Sequence, residues 1–334
     1  MKNENEQTMN NRHEFYFCYD VRFANPNGDP LSNNQPRQDR IREKILVSDD
    51  RIKRTVRDTL KELGYDIFIE SNIKEDGTRE TKEEKIQRIN GKSLKNINKF
   101  PIDMMPIDIK LFGGVFALKN KEDSGNTKEP KAFSLVGPVQ IAWGESLHKV
   151  AINFVKGSTV MPSNEGKKQG TFTEEYKVPY AFIYTYGIIN ENNAKKTELT
   201  DKDIDIFFKA LWLGHSRAGT LETTSKLGHT SRLLIDIVFK ENEFCTIGDQ
   251  INLIRIKLDE KATKLDEKAI RCISEFELDL SNLKKRIEDL NIKDKIEKIR
   301  YKIDPAVRLS QKLEELFKEL NKDLKVEELD FNKS

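Results

Sequence analysis

The chain has 334 residues, of which 37% are apolar, enough to bury the core of one large elaborated domain or two ordinary ones. Its 58 Lys and Arg stand against 56 Asp and Glu, a formal net charge of +2, so bulk electrostatics neither demands nor forbids a polyanionic partner and any nucleic-acid surface must be local. Disorder and collagen are excluded by composition, and no stretch approaches the roughly 18 apolar residues of a membrane span. The polar start MKNENEQTMNNR lacks the apolar core of a signal peptide, which points to the cytoplasm and no membrane partner.

Cys18, Cys245 and Cys272 are an odd number with no close pair, which reads as reduced thiols rather than a disulfide framework or a zinc knuckle. His13, His148, His215 and His229 are scattered, a pattern of structural or solvated histidines. Neither a metal nor a cofactor is expected.

In chain order, HEFYFCYDVRF (13–23) alternates with period two, setting Phe15, Phe17, Tyr19, Val21 and Phe23 on one side, as a strand with one packed face does. ANPNGDPLSNNQP breaks regular structure into a long loop holding Asn25, Asn27, Gly28 and Asp29. Ser48 then caps an amphipathic helix over 49–63, with Ile52, Val56, Leu60 and Leu63 at helical spacing and Gly64 as the stop. YDIFIE (65–70) reads as a second strand. The charged stretch that follows, bounded as 71–110, reads as a finger insertion outside the core, part helix around Thr81 to Ile89.

AFSLVGPVQIAWG (132–144) and VPYAFIYTYGII (178–189) suit buried strands, and Trp143 and Trp212 are most simply core. Between these strands, residues 145–178 read as a projecting hairpin or arm. Thr200 and Asp203 open a helix carrying Ile204, Phe207, Phe208 and Leu211 and closing at Gly214; RLLIDIVFK (232–240) is another strand. The order is a βαββαβ plan: an α+β, ferredoxin-like (RRM-like) antiparallel sheet with helices on one face, in a single elaborated domain over 1–334. Residues 250–334 continue it with short strands (INLIRIKL, EFELDL, IEKIRYKI) and charged helices at 281–290 and 310–320.

The densest basic cluster is Arg37, Arg40, Arg42 and Lys44, then Arg51, Lys53, Arg54 and Arg57. On the helix these bases form a stripe able to hold consecutive phosphates, with the amides of its N-terminus as a second anion-binding element. The alternative is a surface helix whose bases Asp49, Asp50 and Asp58 neutralise. The arm carries Lys156, Lys167, Lys168 and Lys177 with Val160, Met161 and Phe172, apolar side chains that need a base stack or a neighbouring subunit to insert into. HSRAGTLETTSKLGHTSR (215–232), with Arg217, Lys226, His229 and Arg232, suits backbone and 2′-hydroxyl contacts to RNA, or is simply a helix-to-strand connection. Asp29 has no partner at motif spacing for a nuclease site and reads as a turn residue; FGGVF (112–116) lacks the rest of a P-loop or dinucleotide fingerprint.

The segments DVRFANPNGDP, VSDDRIKRTVRD, DIKLFGG, FTEEYKVPYAFIYTYGIIN and SKLGHTSRLL, in this order over about 13–330, resemble the CRISPR-associated Cas7 family, the backbone subunits of type I Cascade complexes, and more narrowly its Csh2 (type I-B) branch. The resemblance implies a non-catalytic RRM-like palm with fingers and a thumb. Copies would polymerise side by side along the guide crRNA and present it to target DNA, beside the 5′-handle-binding subunit and the large subunit. It makes the arm the thumb, with Met161 and Phe172 as the wedge that displaces a base. The helix bearing Ser48, Arg51, Lys53, Arg54 and Arg57 matches the guide-backbone segment, and the turn Phe112, Gly113, Gly114 allows close backbone approach. The runner-up is a metal-dependent or acid/base ribonuclease acting through Asp29 or a histidine.

Overall fold

The computed structural model describes residues 7–90, 105–117, 132–158, 172–216, 227–250, 252–258 and 266–331. The first half holds β1 (His13–Ala24), β2 (Gly28–Asp29), β3 (Gln35–Pro36), β4 (Gln38–Asp39), β5 (Lys44–Val47), α1 (Asp49–Glu62), α2 (Lys82–Asn90), α3 (Ile107–Phe112), β6 (Gly113–Ala117), β7 (Ala132–Val136), β8 (Val139–Ile141), β9 (Gly144–Ser146) and β10 (Asn153–Ser158). Then come β11 (Phe172–Ile189), α4 (Glu191–Thr197), α5 (Asp201–Ser216), β12 (His229–Phe239), β13 (Arg255–Leu258), β14 (Phe276–Asp279), α6 (Ser281–Asp289), β15 (Ile296–Ile303), α7 (Leu313–Lys318) and β16 (Lys325–Glu328).

A ten-stranded, mostly antiparallel sheet dominates. Its main path runs β16-β15-β12-β1-β11-β9-β5-β4, with β8 and β10 also on β11; only β15 and β16 are parallel. β1 lies at its centre, with Phe15 opposite Gly187 of β11 and Asp236 of β12. Three two-stranded ribbons, β2-β3, β6-β7 and β13-β14, stand apart from it.

Both faces of the sheet are covered, which corrects the expectation of helices on one side. Phe15, Phe17, Tyr19 and Val21 pack with Ile52, Val56 and Leu60 of α1 and with Ile204, Phe207, Phe208 and Leu211 of α5. Tyr16 and Cys18, read from the sequence as an outer row, are fully buried with Leu233 and Ile235 of β12, Leu283 and Ile287 of α6, and Leu316 and Phe317 of α7. The C-terminal residues thus form a third layer. A strand with apolar bulk on both sides belongs in the middle of such a sandwich, and tyrosine and cysteine are bulk enough.

Local chemistry accounts for the element ends. Ser48 caps α1 by accepting from the Arg51 N–H, and Thr200 and Asp203 form a reciprocal capping box at α5. Gly214, expected to close α5, lies inside it. There α5 crosses α1, and a Cβ would come within 2.4 Å of Thr59 Oγ1. α4, capped by the Asn190 side chain, has no counterpart among the expected elements.

Residues 65–70 are not a strand, because the buried Asp108 carboxylate takes the Phe68 and Ile69 N–H groups at 2.7 and 2.9 Å. A small separate core of Phe68, Ile86, Met105, Ile109 and Phe116 forms beneath them. The segment 132–144 splits at Gly137–Pro138 into β7, which pairs with β6, and β8, which pairs with β11.

Candidate nucleic-acid interface

The bases of α1 are not an unopposed stripe. Lys53 pairs with Asp49 at 2.8 Å and Arg54 with Asp58 at 2.6 Å, both one helical turn apart. Arg57 is mostly buried, 3.2 Å from Asp108, with its guanidinium 5.0 Å from the centre of the Phe112 ring. Arg51 reaches Thr55 at 3.0 Å and lies partly buried beside Tyr19. Magnitudes separate these cases. Ion pairs at the surface contribute about 0 to 1 kcal/mol, so the 53%-exposed Arg54, and with it the half-buried Lys53 one position before, can exchange a carboxylate for a phosphate. Removing one partner of a buried pair costs about 3 to 5 kcal/mol, so Arg57 holds Asp108 and the fold around it. Asp49 and Asp50 occupy the first turn of α1, where they complement the helix dipole themselves.

Ahead of this helix in the chain, the Asn/Pro-rich segment is an ordered double turn rather than an open loop. Asn25 is buried and donates from Nδ2 to the Asn34 carbonyl at 2.7 Å; the Asn27 carbonyl accepts from the Arg37 N–H. Asp29 accepts from the Leu31 N–H and pairs with Arg37 at 3.3 Å, the contacts of a turn carboxylate. Arg40 and Arg42 are exposed at the next turn, where Arg42 approaches Glu145 at 3.8 Å.

The Phe-Gly-Gly turn serves the chain itself. Gly113 has φ +71°, and a Cβ there would fall 2.1 Å from the Leu135 carbonyl. Its conformational freedom is used to bring β6 against β7. Phe112 packs edge-on to Phe207, with Arg57 over its face.

The arm begins as a paired ribbon from Asn153–Lys177 to Ser158–Phe172. Phe154 and Tyr176 pack at 4.9 Å on it, and Lys156 lies 5.4 Å from the Phe154 ring centre. Met161, Lys167 and Lys168 lie outside the described residues, as does Lys226; of Phe172 only the backbone pairing is described.

His229 is buried at the start of β12 in a group the sequence does not announce. Tyr19 is 4.5 Å from His215 and 5.6 Å from His229, ring centre to ring centre. His215 donates from Nδ1 to the Leu211 carbonyl, and burial holds its imidazole down at about 4, with Arg51 adding repulsion. His148 is also buried: Nδ1 donates to the Lys149 carbonyl and Nε2 accepts from the Phe182 N–H at 3.2 Å, leaving neither nitrogen for acid/base chemistry. Burial lowers its affinity for a proton too. Among the described residues no three His, Cys, Asp or Glu side chains converge as a metal site.

Two exposed aromatics escape a reading by periodicity. Trp143, expected in the core, is 52% exposed between β8 and β9. Phe23, expected on the packed side of β1, has φ +46° and is 60% exposed. The neighbouring Asn and Pro residues were the available signal that the strand's alternation ends there.

The sequence matches the family model described as CRISPR-associated protein Cas7 over residues 11–281. A curated protein of Haloferax volcanii, "CRISPR-associated protein Cas7", is 26% identical over 302 residues, which cover 84% of each chain. Among solved structures, a chain of a "CRISPR RNA-guided surveillance complex" aligns over 92% of this chain and 98% of its own, with 13% identity and a TM-score of 0.47. A second, from the same kind of complex in a pre-nicking state, gives 12% identity and 0.46 with the same coverage. With the family model spanning eight of the ten strands of the central sheet, from β1 to β12, together with α1 and α5, the chain belongs to the CRISPR-associated Cas7 family.

Proposed function

We propose that this chain is a non-catalytic backbone subunit of a type I-B RNA-guided surveillance complex, acting in the cytoplasm in antiviral defence. Copies stack side by side along a guide crRNA, hold its phosphates, and leave base edges free for target DNA. The 5′-handle-binding subunit and the large subunit complete the assembly. The family match over 11–281 carries this reading. It is supported by the strand order β12-β1-β11-β9 with α1 and α5 on one face, the arrangement of an RRM-like palm, and by the paired ribbon of the arm, which serves as the thumb. Arg40, Lys53 and Arg54 are the described cations best placed to take phosphates, with Lys167, Lys168 and Lys226 as further candidates and Met161 and Phe172 as the wedge.

Co-expression with a repeat-spacer transcript tests this. The protein should purify with RNA protected from nuclease, in regular multi-subunit particles visible by electron microscopy. Protein that remains free of RNA overturns the reading. So does cleavage of labelled guide or target RNA that Asp29→Ala abolishes, which would establish a ribonuclease instead.

A further inference from the structure

Phe23 combines three properties that do not occur together by default. It is a bulky residue in the left-handed region at φ +46°, it is 60% exposed, and it lies at the end of the most buried strand of the molecule. A non-glycine residue in that region costs of order 1 to 3 kcal/mol and persists only where its surroundings fix the backbone. They do so here from both sides. The Arg22 N–H donates to the Gly228 carbonyl at 2.9 Å, a Cβ on Gly228 would fall 1.9 Å from the Arg22 carbonyl oxygen, and Ala24 pairs with Val178. The fold therefore holds an aromatic ring outward at a position where asparagine or glycine would fit with less strain and no exposed apolar surface. Leu227, next to the glycine that clamps Arg22, is 63% exposed and adds apolar surface at the same end of the sheet; Arg22 itself is exposed.

We infer that Phe23 is a stacking platform for one base of single-stranded RNA, with Arg22 beside it facing the phosphate. The inference rests on the guide-binding reading above. An aromatic face takes any base, which suits a protein that must hold guides of every sequence, and a flanking cation distinguishes the site from a purely apolar protein contact. Buried Asn25 and the turn that follows Phe23 anchor the chain immediately beyond the platform.

The test compares wild type with Phe23→Asn, binding to a guide-length RNA and to the same RNA with abasic sites at regular intervals. Phe23→Asn should melt at the same or a higher temperature, because asparagine tolerates this backbone, while losing about tenfold in affinity for the intact RNA. Its salt dependence should be unchanged, since no phosphate contact is removed. Abasic RNA should bind wild type and variant alike. Phe23→Tyr should retain wild-type affinity and Phe23→Leu should not, a comparison that stands if the asparagine variant does not fold. Equal binding of intact RNA by wild type and Phe23→Asn overturns the platform alone. Weakened self-association of RNA-free protein with unchanged RNA affinity assigns the ring to a protein contact and overturns it as well. Absence of RNA binding by wild type removes the functional reading on which the inference stands.

Discussion

Burial makes His215 an acid-sensitive element of stability. Its folded-state value of about 4 lies below the ordinary 6.5, so between these values the unfolded chain binds the extra proton. The stabilisation is complete above pH 6.5 and is lost progressively as the pH falls towards 4, a contribution on the order of 3 kcal/mol. His148, lowered by burial in the same direction, adds to the loss. His215→Gln should flatten this dependence. Urea midpoints measured from pH 7 to pH 4.5 should fall more steeply for wild type than for the variant, and parallel curves would count against a buried neutral imidazole. Asp108 stabilises the fold through its contacts. It is fully buried, takes two backbone N–H groups and holds Arg57, so Asp108→Ala should destabilise by about 3 kcal/mol or more, read from the denaturant midpoint. The sequence shows both residues, yet neither role. Asp108 meets its partners 40 and 51 positions away, and no local pattern records such a pairing.

At the scale of elements, α1 shows how far a charge pattern can be read. Its limits follow from Ser48 and the spacing of Ile52, Val56 and Leu60, and the structure places the helix at Asp49–Glu62, against an expected 49–63. Which of its cations face a ligand depends on what α3 brings opposite. Lys53 and Arg54 have partners on their own helix, and Arg57 has one on α3. Replacing Lys53 and Arg54 together by Ala, with Arg57 left intact, should weaken RNA binding and reduce the slope of log affinity against log salt by roughly 0.7 per lost contact on single strands, with little change in melting temperature. A slope identical to wild type would remove α1 from the interface. Arg57→Ala should lower stability as well, so a loss of binding in that variant carries no information about phosphates.

For the whole molecule, the sheet buried on both faces makes the C-terminal layer indispensable. Removing residues 266–331 would expose Tyr16, Phe182, Leu233 and Ile235, which α6, α7 and β14 now cover. Such a truncation should be insoluble or bind hydrophobic dyes, whereas a soluble, cooperatively unfolding product would show that the first face alone sustains the fold. The near-neutral net charge is compatible with the proposed stacking of copies side by side, where large like charge would repel.

Elements set by nearest neighbours were legible in the sequence: strands from period-two runs, α1 and α5 from their caps, and family membership from five segments in order. The hydrogen bonds and side-chain spacings behind them span only a few residues. Tertiary structure alone decided that Tyr16 and Cys18 face a second core, that Gly214 is a helix crossing rather than a helix end, and that Phe68 and Ile69 give their N–H groups to Asp108 instead of a ladder. It also turned Phe23 outward, because its backbone angle is imposed by the clamp at Gly228. Each of these depends on a partner distant in the chain, and the free energy of a buried or strained group is set by the groups that surround it.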